Sequence, residues 1–164
     1  MRMAAELVRE LEATRDETLA FFELRDERLD RSYGPGRWTV RYLLHHLADS
    51  ETVLNERIRR TLCEPGLTLR VFDQDAWAGG LDYAHVPLEL SREVFRSVRN
   101  AVIHLARQHY EARGHLRFVH STMGERTLRQ EMDKVADHNA HHLDQIRAAL
   151  AGHEGGLRRR SFNR

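Results

Sequence analysis

At 164 residues, 41% of them hydrophobic, the chain suits one domain with a sizeable core and does not call for a second. Its 26 Lys and Arg against 25 Asp and Glu leave a formal charge of +1, which excludes the strong field expected of a nucleic-acid or anionic-membrane binder. A single cysteine, Cys63, excludes an intrachain disulfide, and no apolar run approaches the ~18 residues of a membrane span. The start, Met1-Arg2-Met3-Ala4-Ala5-Glu6, lacks a basic-then-apolar signal region, so a cytoplasmic protein with no nucleic-acid and no membrane partner is expected. Nearly all basic residues are arginine; Lys134 is the only lysine, a bias that reads as composition rather than as a binding device.

The first helix is expected over about residues 3–30, where Leu7, Leu11, Leu19, Phe22 and Leu29 recur at spacings near three and four. It should end before the turn signal Tyr33-Gly34-Pro35-Gly36. A second helix follows Trp38, with Thr39 as its cap and Val40, Leu43, Leu44, Leu47, Leu54, Ile58 and Leu62 on one side, stopping around Cys63-Glu64-Pro65-Gly66. The link from about Pro65 to Pro87 exceeds the usual ~4 to 6 residues and reads as a functional connection.

Ser91 is a candidate cap for a third helix with the stripe Val94, Phe95, Val98, Val102 and Leu105, ending before Gly114. The segment Leu116 to Thr127 is turn-rich and shows little strand signal. Thr127 and Gln130 form a capping box for a fourth helix through Val135, Leu143 and Ile146 to Ala151-Gly152. The expectation is an all-α four-helix bundle over residues 1–154, with a long crossover that leaves helices two and three parallel, and a flexible basic tail over 155–164 containing Arg158-Arg159-Arg160.

Among 11 histidines, His138 and His142 are four apart and stack on adjacent turns of one helix face. Two imidazoles so placed can share a metal ion, although that many histidines also produce the spacing by chance, and core-edge histidines bonded to carbonyls or carboxylates are the alternative. Val135, Ile146 and Ala149 lie within roughly 40° of His142 on the helical wheel, so His142 faces inward; His141, about 100° away, does not. A third ligand must come from another helix. In the doublet His45-His46, His46 lies about 100° from Leu47 and His45 nearly opposite it, making His46 the inward candidate and His45 a solvated surface residue. Three ligands would leave an open position, as in catalytic zinc sites; a fourth would indicate a structural one.

The segments Pro35-Gly36-Arg37-Trp38-Thr39-Val40-Arg41, His45-His46-Leu47-Ala48-Asp49-Ser50 and His138-Asn139-Ala140-His141-His142-Leu143 together resemble the DinB/YfiT-like metalloenzymes, the YfiT branch most closely. The likeness spans about residues 30–150 and includes Arg57 and Asp73-Gln74-Asp75-Ala76-Trp77. It implies a divalent metal, zinc or nickel, on His46, His138 and His142, and its members include thiol S-transferases using bacillithiol, mycothiol or glutathione. The expected function is thus metal-dependent transfer of a low-molecular-weight thiol to a small-molecule electrophile. Hydrolysis by metal-bound water and a non-catalytic, metal-stabilised interaction protein are the alternatives; a homodimer is compatible with exposed bundle faces.

Asn139 stands where His-Glu-x-x-His hydrolases carry their glutamate, which lowers the hydrolytic reading. Glu131, on the face of His138, and Glu51, just beyond His46, are the candidates for a catalytic group or a ligand-orienting one, with helix salt bridges as the alternative. Gln145 is placed to bond a histidine ligand or to face solvent. Arg57 follows His46 on one side of its helix and is a candidate for a substrate carboxylate, against a surface ion pair. Trp77 either covers the pocket or packs on the bundle. Nothing near Cys63 would activate its thiol.

Overall fold

Each long helix starts and stops where its local chemistry dictates. In the computed structural model, which describes residues 2–152, Thr39 accepts a hydrogen bond from the Tyr42 backbone N–H and opens α3, Val40–Cys63. The capping box of Thr127 and Gln130 opens α6, Leu128–Ala151, and Gly152 closes it in the left-handed conformation at φ 71°. The other long helices are α1, Ala4–Phe21, and α5, Leu88–His109; two short ones, α2, Asp26–Leu29, and α4, Gln74–Gly80, sit in the connections. None of the described helices is long and apolar enough to cross a membrane. The expected basic tail over 155–164 lies outside the described residues.

Pairings along the bundle fix its directions. Glu51 meets Arg99 and the Leu62 carbonyl meets Arg113, so α3 and α5 run parallel, as a long crossover requires. His46 meets His142 while Arg57 meets Glu131, so α3 and α6 are antiparallel. Arg2 pairs with Asp133 and Arg147 with Glu17, making α1 parallel to α6, and α1 packs on α5 and α6 but opposite α3.

Three details depart from the periodic pattern. The first helix breaks at Phe21 and resumes as α2; Phe22 and Leu29 stay in one core cluster although the chain bends between them, and their seven-residue spacing hides the break. The third helix begins at Leu88 after Pro87, not at Ser91, and Val94 is 42% exposed while Phe95, Arg99, Val102 and Ala106 face inward. The bundle also carries a small sheet. Strand β1, Thr68–Leu69, from the crossover pairs parallel with β2, Arg117–His120, which turns at Gly124 into antiparallel β3, Gly124–Thr127. Strands of two to four residues are too short for alternation to show.

The apolar core falls into two clusters, one around Leu11, Ile58, Val102 and Met132, the other around Leu43, Leu47, Phe95 and Ile146. Between them lies a buried polar layer to which every long helix contributes. The Arg99 guanidinium donates to both Glu51 carboxylate oxygens at 2.6 and 2.7 Å and to the Leu11 carbonyl, Thr14 Oγ1 and Asn139 Oδ1 at 3.2, 3.0 and 3.3 Å. Asn139 in turn donates to Thr18 Oγ1 at 3.2 Å. The layer adjoins the histidines, since Asn139 follows His138 directly in α6.

Candidate metal centre

Antiparallel packing of α3 on α6 sets His46 opposite His138 and His142. Their three Nε2 atoms form a closed triangle with edges of 3.2 Å (His46–His138), 3.1 Å (His46–His142) and 3.1 Å (His138–His142). No fourth histidine, cysteine or carboxylate joins the cluster among the described residues. Nitrogens bound at about 2.0–2.1 Å to one ion are separated by roughly 2.9–3.4 Å in octahedral or tetrahedral arrangements, so the triangle fits a single transition metal. The donor chemistry fits as well. His142 Nδ1 lies 2.7 Å from Gln145 Oε1, and a carbonyl oxygen only accepts; Nδ1 therefore carries the hydrogen and Nε2 presents its lone pair.

Gln145 is held for this by its own amide, whose nitrogen lies 3.2 Å from His141 Nε2. Replacing Gln145 with Leu should weaken metal affinity about 10–100-fold by freeing the tautomer and ring orientation of His142, measured by chelator competition; unchanged affinity would contradict that role. His46 is positioned by aromatic neighbours, with Phe72 stacked on its ring at 5.8 Å and Trp38 edge-on at 5.2 Å. The three histidines line an open cleft of about 890 Å³ between α3, α6 and the crossover.

Burial holds these imidazoles neutral, the state a metal ligand needs. It pushes His46 down to about 4, and it lowers His138 and His142 too, with mutual repulsion adding to the effect. Burial, reinforced by Arg41, also takes His45 to about 4. Because these values lie below the unfolded value of 6.5, the unfolded chain binds more protons between the two, and folding stability falls as pH drops through that window. The metal-free protein should lose stability steadily from pH 6.5 to 5, above the range where carboxylates titrate. It should take up more than one proton per unfolding event, read from denaturation midpoints; a flat profile would contradict the buried neutral cluster.

His45 is buried, not solvated as its wheel position suggested. Helix α3 is covered on several sides, and all residues from Leu43 to Ala48 are buried. Its Nδ1 lies 2.7 Å from Ser91 Oγ and its ring faces Tyr83, whose hydroxyl donates to Asp49. Glu51 is outside the cleft lining, bound by Arg99, and Asn139 also turns toward Arg99; the chain position that carries glutamate in His-Glu-x-x-His proteins faces the polar layer here.

Arg57 does line the cleft, but not as a surface residue. It is 3% exposed, with one Nη 3.3 Å from Glu131 and the other 2.6 Å from the Arg70 carbonyl, so Glu131 is itself committed to a buried ion pair. Trp77, 38% exposed, is not part of the lining; it meets Phe72 edge-on at 5.0 Å and so acts on the site through the ring that covers His46. Cys63 is exposed at the end of α3. Phe72, His120 and Lys134 line the cleft without any motif to mark them.

Known proteins resemble this chain in sequence and in fold. Residues 10–146 match the DinB superfamily. A protein of Oceanobacillus iheyensis named "Putative metal-dependent hydrolase" is 33% identical over 132 residues, covering 80% of this chain and 76% of its own. A Bacillus licheniformis protein of the same description is 32% identical over 127 residues, covering 77% and 72%. Among solved structures, YfiT from Bacillus subtilis, described as a probable metal-dependent hydrolase with an unusual four-helix bundle topology, superposes with a TM-score of 0.83. It is 25% identical and covers 91% of this chain and 86% of its own.

Proposed function

The chain belongs to the DinB superfamily, and on that premise we propose that it is a metal-dependent enzyme of small molecules in which His46, His138 and His142 hold one divalent zinc or nickel ion. The observation that carries this reading is the Nε2 triangle, with edges of 3.1–3.2 Å and no fourth protein ligand among the described residues, set in the wall of an open cleft. When bound, such an ion supplies Lewis acidity that lowers the pKa of a coordinated thiol or water and polarises an electrophile. Gln145 fixes the His142 tautomer, while Phe72 and Trp38 fix the His46 ring and shield one side of it from water.

Within this class, transfer of a low-molecular-weight thiol to a small electrophile is the reaction we favour. Glu51 and Glu131 are each bound to a buried arginine, so neither of these carboxylates stands ready beside the histidines as a base. A thiol, with an ordinary pKa of about 8.5, needs far less help to ionise than water does. Hydrolysis is the second reading, supported by the names of the relatives, with the cleft-rim carboxylates Asp73 and Asp75 as the groups available to it.

Metallated protein assayed with a panel of low-molecular-weight thiols and monochlorobimane should give turnover that requires both thiol and metal. Thiol-independent cleavage of esters or amides, with no bimane conjugation for any thiol, would replace transfer by hydrolysis.

A further inference from the structure

Beyond the histidine triangle, the same cleft has a second chemical feature. Lys134 lies one turn before His138 on α6, about 6 Å along the axis, and both line the cleft. No hydrogen bond or ion pair engages the Lys134 ammonium among the described residues, because the nearby Glu131 carboxylate is taken by Arg57. His120, brought to the cleft by β2, accepts from the Thr122 backbone N–H at Nδ1 at 3.3 Å. Its hydrogen is therefore on Nε2, which has no partner among the described residues.

We propose that Lys134 and His120 form an anion subsite that takes the carboxylate of a short substrate whose reacting atom lies at the three histidines. The charge around it is unbalanced: Arg57, Lys134 and Arg126 all bear on His120, against Glu131 alone. Burial, with repulsion from Arg57 and Arg126 added, pushes Lys134 below its ordinary value despite the opposing Glu131, and an incoming anion offsets that repulsion. Arg57 frames the subsite without filling it, since its Nη atoms are committed to Glu131 and the Arg70 carbonyl. One ammonium and one imidazole N–H suit the two oxygens of a carboxylate better than the three of a phosphate. The acidic residues of the lining, Asp73 and Asp75, belong to the crossover wall, where Asp73 caps α4, and neither is among the charges acting on Lys134 or His120.

This subsite rests on the triangle being the reacting end of the cleft, and its test separates the two. Because Lys134 is the only lysine, reductive methylation with ¹³C-formaldehyde yields one lysine resonance beside that of the amino terminus, with the charge retained. In metal-free full-length protein, acetate or succinate should shift that resonance saturably at fixed pH and ionic strength, at least tenfold more tightly than chloride, and at least tenfold more weakly in His120→Phe. By calorimetry, Lys134→Met should lose succinate binding yet bind zinc within a few-fold of the parent. Equal responses to chloride and carboxylates, or saturation by inorganic phosphate alone, would overturn the carboxylate subsite. Zinc binding with no response at Lys134 removes the subsite and leaves the metal centre; a saturable carboxylate response without zinc binding does the reverse.

Discussion

Replacing His138 with Ala is expected to leave a folded protein that no longer retains its metal. Of the three Nε2 atoms, that of His138 closes two edges of the triangle, at 3.2 and 3.1 Å, and removing it leaves two imidazoles with no further protein ligand among the described residues. Losing a group that merely orients a ligand costs 10–100-fold in metal affinity, so losing a ligand itself should exceed about 100-fold. Metal analysis of untagged protein should fall from about one ion per chain to a trace. The metal-free variant should unfold cooperatively, as the metal-free parent does, so that the loss of metal reports on the ligand and not on the fold. His45→Ala provides the contrast: its ring is turned to Ser91 and Tyr83, and metal content should not change. Full retention by His138→Ala would remove the site.

The second large effect is on stability. Arg99→Met would strip Glu51 of both its charge-assisted hydrogen bonds inside a layer where Glu51 is 2% exposed. An uncompensated buried carboxylate costs about 3–5 kcal/mol, a large share of the ~5–15 kcal/mol that holds a domain together. Denaturant unfolding should show that loss. The double variant Arg99→Met/Glu51→Leu should recover most of it, because removing both charges also removes the cost of burying them. A single variant within about 1 kcal/mol of the parent would mean that the layer is solvated. The same substitution deprives Asn139 of its Arg99 partner, next to His138, so metal affinity should fall as well.

The bundle and its parallel second and third long helices were legible because apolar periodicity, Thr39, the Thr127–Gln130 box and Gly152 all mark long helices with ordinary caps. The choice of His46 over His45 also followed from the wheel, but the solvent exposure of His45 did not. A wheel ranks faces against one partner, and α3 is enclosed by α4, α5 and α6. The polar layer was hidden for a related reason. Arg99 interrupts the apolar stripe of α5, and a charged residue in such a stripe marks solvent unless its carboxylate partner, 48 residues away, is already known to face it. Phe72 reaches the cleft through the crossover and His120 through the strand pairing of Leu69 with His120, contacts between distant segments that carry no local signature, whereas Lys134 comes from α6 itself, one turn before His138.

One ion bound by three imidazoles through Nε2, with room for a substrate atom, has a direct crystallographic signature. It is read from anomalous difference density collected at the absorption edge of the metal on crystals of untagged protein. The expected result is a single peak within about 2.0–2.2 Å of Nε2 of His46, His138 and His142, with its remaining coordination made by solvent or a small molecule. A peak elsewhere, or a fourth protein side chain completing a closed tetrahedron, would contradict an open catalytic centre.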